Sequence, residues 1–240
     1  MTTAVLVDLD GTLLPDNIFL PQAAVLTEAI TEVYGFDAGY GPEHVPEAVQ
    51  VDWVGKTDRR IVLEMCKRAG VSDEDAVLKL PQWIDAYMAR FLARCPTRLR
   101  ARRSVVEMIW AAKALGADIR LVTGNLRPVA RLKVERALVG EAINLRRSAT
   151  GSECLSREEL VRWALGTLPP SHAVVVGDTW RDVQGAQLAG VPCVALATPK
   201  HGVEELLDAG ADTVVPADDG EKLTGAVVDL LTAYTSAPRT

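Results

Sequence analysis

The chain has 240 residues, 48% of them hydrophobic, with 26 basic against 32 acidic side chains and a formal charge of −6. That length holds one large domain, or a core with a smaller insert, and the acidic balance argues against a nucleic-acid partner, whose phosphates require a basic face. No apolar run approaches membrane-spanning length, and the early apolar stretch Ala4–Leu9 is short and contains Asp8, which is unlike a signal peptide.

A cytoplasmic protein is therefore expected, without nucleic acid or membrane as partner, and either monomeric or homodimeric. Cys66, Cys95, Cys154 and Cys193 lie far apart with no CxxC and no zinc-like spacing. They are expected to be reduced, mostly buried thiols.

In chain order, AVLVDL (Ala4–Leu9) has the look of a buried strand. From about Pro15 to Pro96 no convincing strand follows. Helical stretches are expected near Pro21–Tyr34, Asp58–Ala69 and Ser72–Arg94, with a Gly/Pro-rich link from Gly35 to Pro46. Ile61, Val62, Met65, Cys66 and Ala69 recur with helical period, and Trp53 and Trp83 are expected in the core of this insert.

Beyond it, helices and short apolar strands alternate. The helices are Arg103–Leu115, Pro128–Leu138, Ser156–Leu168, Arg181–Ala189, Val203–Ala209 and Glu221–Ala233. The strands are Asp118–Thr123, His172–Gly177, Val191–Ala197 and Asp212–Pro216. Gly116, Gly190 and Gly210 stand where helices should end, and the tail Thr235–Thr240 is expected to fray. Continuous apolar strands separated by helices predict an α/β fold, a parallel sheet covered on both faces. Residues 1–14 and 97–240 form its core and 15–96 an all-helical insert.

In such a sheet ligands bind beyond the carboxyl ends of the strands, and polar clusters stand there. Asp8-Leu9-Asp10-Gly11-Thr12 follows the first strand. Two residues apart, both carboxylates would share one face of a regular strand, and a divalent cation would relieve their repulsion and desolvation. Gly11 permits a tight turn that can approach a phosphate, and Thr12 offers a hydroxyl. Thr123-Gly124-Asn125 ends the next core strand with a hydroxyl and amides suited to phosphate oxygens, although the same string is a common turn.

Gly177-Asp178-Thr179-Trp180-Arg181-Asp182 follows a third strand. Asp178 is placed for a metal, with Asp182 a second ligand or an orienting neighbour; helix capping by Asp178 or Thr179 is the plainer alternative. Phosphoryl chemistry also needs a cation. Arg127, Arg131, Lys133, Arg146, Arg147, Arg157 and Arg162 are available, most of them expected on solvated helix faces. Arg157 opens the helix before the strand that ends at Asp178.

Together these strings resemble the haloacid dehalogenase-like hydrolase superfamily, most of whose members are phosphatases. DLDGT is similar to its first motif, LVTGN to its second and GDTWRD to its fourth, and the helical insert resembles its cap, the family type being phosphoglycolate phosphatase-like. The resemblance implies a Rossmann-like core and a Mg²⁺-dependent phosphatase acting on a small phosphorylated metabolite. Asp8 would be the nucleophile that forms an aspartyl-phosphate, and Asp10 the acid/base. Thr123 would bind the phosphoryl group, with Gly11, Thr12, Gly124 and Asn125 around it. The Asp8 carboxylate, the Asp10 carbonyl and Asp178 would hold the metal, with Asp182 accessory.

The third motif usually supplies a lysine, and here Arg157 stands at the matching helix start. Lys133 competes for that role, and Arg157 is preferred because it precedes the fourth motif in the family order. The second aspartate, Asp10, distinguishes phosphoryl transfer from dehalogenation.

Gly55-Lys56-Thr57-Asp58 resembles a cap loop that reaches the substrate. Lys56 would meet an anionic leaving group, act as a Schiff-base lysine, or be a solvated loop residue. Trp180 walls the site or caps the core. Lys200 lies in a loop that could border the pocket, and His201 is expected on the surface of that loop. The alternatives to a phosphatase are a phosphomutase related to β-phosphoglucomutase and a non-catalytic phosphate-binding or regulatory protein on the same fold. The chain is too long for a receiver domain, which also has no place for the insert.

Overall fold

The computed structural model describes residues 3–15 and 21–236. Six strands form one sheet in the order β3-β2-β1-β4-β5-β6: β1 (Ala4–Val7), β2 (Asp118–Thr123), β3 (Ala149–Thr150), β4 (Ala173–Gly177), β5 (Cys193–Ala197) and β6 (Thr213–Pro216). Every pairing is parallel, with Val7 opposite Leu121 on one side and Val176 on the other. The chain order reverses at β1, so the crevice at the carboxyl ends of β1 and β4 is where a ligand is expected in an open parallel sheet.

Alternation along the strands feeds two cores. Val5 and Val7, Val174 and Val176, Val194 and Leu196 join one apolar cluster, while Ala4 and Leu6, Ala173 and Val175, Cys193 and Ala195 join the other. The first face is covered by α5 (Arg103–Ala114), α6 (Arg127–Arg136) and α10 (Gly220–Ser236), and the second by α7 (Arg157–Leu165), α8 (Trp180–Ala189) and α9 (Val203–Asp208). The fold is thus the α/β arrangement expected, with helices on both faces.

Between β1 and α5 lie only helices among the described residues: α1 (Pro21–Tyr34), α2 (Asp58–Arg68), α3 (Asp73–Leu78) and α4 (Leu80–Arg94), with a short 3-10 turn at Pro42–His44 inside the expected link and another at Glu47–Val49 just after it. Ile61, Val62, Met65 and Cys66 are buried as their period predicts. Trp83, Tyr87 and Phe91 form a fully buried aromatic file along α4, with Trp83 stacked on Tyr87 at 5.3 Å between ring centroids.

Several expectations need correction. The first strand stops at Val7, because Asp8 begins a turn in which the Leu14 N–H donates to the Leu9 carbonyl (2.7 Å). The single helix expected over Ser72–Arg94 is two, since Pro81 sits in the first turn of α4 and cannot continue a preceding helix. The two-residue strand β3 carries too little pattern to be seen in sequence. The expected frayed tail is helical as far as Ser236, and residues 237–240 lie outside the described residues. The four cysteines are free and buried, as anticipated.

Truncating the aromatic file tests how much of the insert rests on it. Trp83→Ala should lower the unfolding free energy by about 3–5 kcal/mol, read from urea denaturation.

Candidate active site

Three neighbouring strands deliver the site. Asp8 follows β1, its N–H extending the ladder to the Val176 carbonyl (2.9 Å), Thr123 ends β2, and Asp178 follows β4. The turn after Asp8 is secured by Arg102, whose guanidinium donates to the Gly11 and Thr12 carbonyls (3.0 and 3.1 Å). Gly11 has φ of +89°, and a side chain there would drive into the Asp178 carboxylate, with Cβ 2.1 Å from Oδ2. Thr12, expected beside the phosphate, is fully buried instead and donates to Asp178 Oδ1 (2.8 Å). Gly11 and Thr12 therefore place Asp178.

Asp8, Asp178 and Asp182 are buried with carboxylate oxygens within 4.8 Å of one another. Burial pushes the Asp8 carboxyl up to about 7, with the charge of Asp182 and, to a smaller extent, Asp10 adding to the rise. Arg157 acts in the opposite direction, its Nη1 standing 2.8 Å from Asp8 Oδ1 and 3.1 Å from Asp182 Oδ1.

Asp182 has a second commitment. Its Oδ2 accepts from the Thr179 N–H and hydroxyl (3.1 and 2.6 Å), closing a capping box at the start of α8. Thr179 rather than Asp178 is thus the capping residue. A hard, oxygen-rich cluster of this kind fits a divalent cation, and Asp182 is also engaged by Arg157 and by the capping box.

Arg157 reaches Asp8 because α7 and α8 lie close at Gly185, where an added Cβ would stand 2.7 Å from the arginine Cγ. Its Nε is buried without a partner among the described residues, while the residue lines the cavity.

Asp10 takes a different environment. Lys133, the competing candidate for the site cation, is fully buried and donates to both oxygens of Asp10 (2.5 and 2.7 Å). Asn125 donates from Nδ2 to Asp10 (2.5 Å) and to the Thr123 hydroxyl (3.0 Å), while its Oδ1 accepts from Lys133 (2.9 Å) and Gln22 (2.8 Å). Asn125, expected to bind substrate, lines the cavity and also ties these side chains together. The choice between Arg157 and Lys133 is not exclusive, since each cation holds its own aspartate.

The insert closes over these groups. The Asp58 N–H donates to the Gly124 carbonyl (2.8 Å), and a side chain at Gly124 would meet the Lys56 carbonyl, with Cβ 2.3 Å away. Between insert and sheet lies a cavity of about 650 Å³, lined by Asp8, Asp10, Thr123, Arg157 and Asp178 on the sheet side. Lys56 borders it, with Nζ paired to Glu64 (2.5 Å). Trp53 is half-buried, packed against the core as expected, and also lines the cavity. Lys200 and His201 border it too, and His201 is packed against Glu205 (3.0 Å) and largely covered, where a surface position was expected. Trp180 stacks under the Arg181 guanidinium at 4.1 Å and does not line the cavity.

Residues 2–190 match the family model of the haloacid dehalogenase-like hydrolases. The chain belongs to that family and is a hydrolase. No curated protein matches its sequence. Similar solved structures include a predicted phosphatase from Clostridium acetobutylicum, at TM-score 0.64 and 19% identity, covering 95% of this chain and 100% of the other. A predicted phosphoglycolate phosphatase from Haemophilus somnus 129pt has TM-score 0.60 and 20% identity, with coverages of 93% and 98%. A provisionally assigned β-phosphoglucomutase from Bacteroides vulgatus has TM-score 0.66 and 22% identity, with coverages of 96% and 90%. At these identities they establish the shared fold. Among the described residues no helix is long and apolar enough to cross a membrane.

The buried Asp8 charge makes stability depend on pH. With its carboxyl raised from the usual 3.8 to about 7, the folded chain holds more protons than the unfolded one between those values, so stability falls as pH rises through that window. In metal-free protein, Asp8→Asn should raise the unfolding free energy by on the order of 1 kcal/mol at pH 8 and less at pH 5. Urea unfolding at the two pH values measures it.

Proposed function

We propose that this hydrolase is a Mg²⁺-dependent phosphatase that cleaves a small phosphorylated metabolite through an aspartyl-phosphate on Asp8. The observation that carries the reading is the pairing of two aspartates with two separate buried cations at one sheet edge: Asp8 with Arg157 and Asp10 with Lys133. A carboxylate nucleophile needs positive charge to approach an anionic substrate, and a second, differently held carboxylate is what a proton-transfer partner requires.

Residues 1–14 and 97–240 are the catalytic core, and residues 15–96 the cap. Asp8, the Asp10 carbonyl and Asp178 would hold Mg²⁺, with Asp182 behind them. The ion, when bound, supplies charge neutralisation of the phosphoryl oxygens and of the carboxylates around them.

An Asp8 oxygen attacks phosphorus as the bond to the leaving oxygen breaks, and Asp10 gives that oxygen its proton. Water then attacks the phosphoryl group and yields a proton to Asp10, and inorganic phosphate leaves as Asp8 is restored. Thr123, fixed by Asn125, and Arg157 line the cavity where the transferring group would lie. The presence of Asp10 favours phosphoryl transfer over dehalogenation, because only the former needs a protonated leaving group.

Wild-type protein should release inorganic phosphate from one or more members of a panel of phosphorylated metabolites when Mg²⁺ is present and lose that activity with a chelator. Asp8→Asn should abolish turnover, and Arg157→Ala should lower kcat/KM by about 10²–10³-fold. An isomerised sugar phosphate in place of free phosphate would make the chain a mutase. Phosphate binding without turnover would make it a non-catalytic binder.

A further inference from the structure

One ion pair joins the insert to the sheet beside the cavity and has no part in the chemistry assigned above. Arg181, the second residue of α8, pairs through Nη2 with Asp52 of the insert. Its guanidinium lies over the Trp180 ring, 4.1 Å from the centroid, and its stem runs along Gly55. A Cβ added at Gly55 would stand 2.8 Å from Arg181 Cβ and 2.9 Å from its Cδ. Gly55 also has φ of +58°, so both its backbone conformation and the arginine against it call for a bare Cα.

Arg181 meets a compact turn there. Asp52 Oδ1 accepts the Val54 N–H (3.0 Å), and the Lys56 N–H donates to the Trp53 carbonyl (3.2 Å). Trp53, Val54, Gly55 and Lys56 line the cavity, and Arg181 itself does not. The far end of the turn is seated on Gly124, through the Lys56 carbonyl and the Asp58 N–H. Its near end is seated on Arg181. An ion pair whose aspartate side chain is 48% exposed contributes little by charge alone. Here the guanidinium is already stacked on Trp180 and the stem already packed on main chain, so less side-chain freedom is lost when Asp52 docks. Resting on the phosphatase reading above, we propose that Arg181 is a positioning residue for substrate selection. It latches the turn from Asp52 to Lys56 and so sets where Trp53 and Lys56 stand over the leaving group. The phosphoryl group, held from the sheet side, does not depend on it.

Arg181→Ala removes the latch from the sheet side. Asp52→Asn weakens it from the insert side, leaves α8 unaltered and keeps an acceptor for the Val54 N–H. With p-nitrophenyl phosphate, or a panel phosphomonoester hydrolysed in its place, Arg181→Ala should raise KM about tenfold and keep kcat within about threefold of wild type. Inhibition by inorganic phosphate, which has no leaving group, should stay within about twofold of wild type. Asp52→Asn should move KM in the same direction, and the double variant should be no worse than Arg181→Ala. An unchanged KM in Arg181→Ala, phosphate inhibition weakened as much as substrate, or fully multiplicative losses in the double variant would overturn the proposal. If Asp8→Asn is inactive while KM is unchanged in Arg181→Ala, the phosphatase reading stands and the latch alone falls. If the wild-type chain hydrolyses no phosphomonoester, the phosphatase reading fails, and hydrogen exchange, which needs no turnover, decides the latch. Faster exchange at the amides of residues 54–56 in Arg181→Ala, with α4 unchanged, supports it, and unchanged exchange there refutes it.

Discussion

The architecture depends on concentrating negative charge at one edge of the sheet. Asp8, Asp10, Asp178 and Asp182 meet where β1 and β4 end, and Asp58 is added from above. Such crowding is unfavourable in a low-dielectric site unless it is offset. Arg157 and Lys133 supply part of that offset from within the fold, and the oxygen cluster leaves room for a divalent ion to supply more. Much nearby packing serves this balance: Gly185 lets Arg157 through, Thr12 and Gly11 set Asp178, and Asn125 ties Lys133 to Asp10.

The division of labour between the two central aspartates follows from their surroundings. Asp8 is buried, with Arg157 at one oxygen and further carboxylates close by. Asp10 has a side chain 42% exposed, opens on the cavity and is held by an ammonium and an amide. Two residues of one type in one short turn thus acquire different surroundings, which is the contrast that the proposed division into nucleophile and acid/base draws on.

Much of this was legible in the sequence. The sheet, the helices on both faces and the helical insert followed from periodicity, and the Asp8, Thr123 and Asp178 clusters stood at the strand ends. What escaped notice has physical reasons. Pro81 marked the break between α3 and α4 and was passed over within a long helical pattern. Lys133 lies among Val129, Ala130 and Val134 on the buried stripe of α6, and a lysine on an apolar stripe was itself a signal of a buried partner. Asp58 gave no comparable sign: next to Thr57 it reads as an ordinary first-turn acid, and its meaning comes from the approach of Gly124 and Leu126 across the seam. Asp8 and Asp10 both border the cavity because a turn, and not a continuing strand, follows Val7.

At its centre the seam between insert and sheet brings main chain against main chain. Lys56 carbonyl meets the bare Cα of Gly124, the Gly124 carbonyl lies against Gly151, and Asp58 docks through its own N–H. Close approach there is set by backbone geometry and small residues, while side-chain contacts such as Arg59 to the Ser152 carbonyl (2.8 Å) and Asp52 to Arg181 join the two parts around it. Trp53, Tyr40, His44 and Lys200 can diversify one at a time while the closure and the reacting groups stay in place. Such a scaffold is well suited to acquiring new substrates through changes in its ceiling alone.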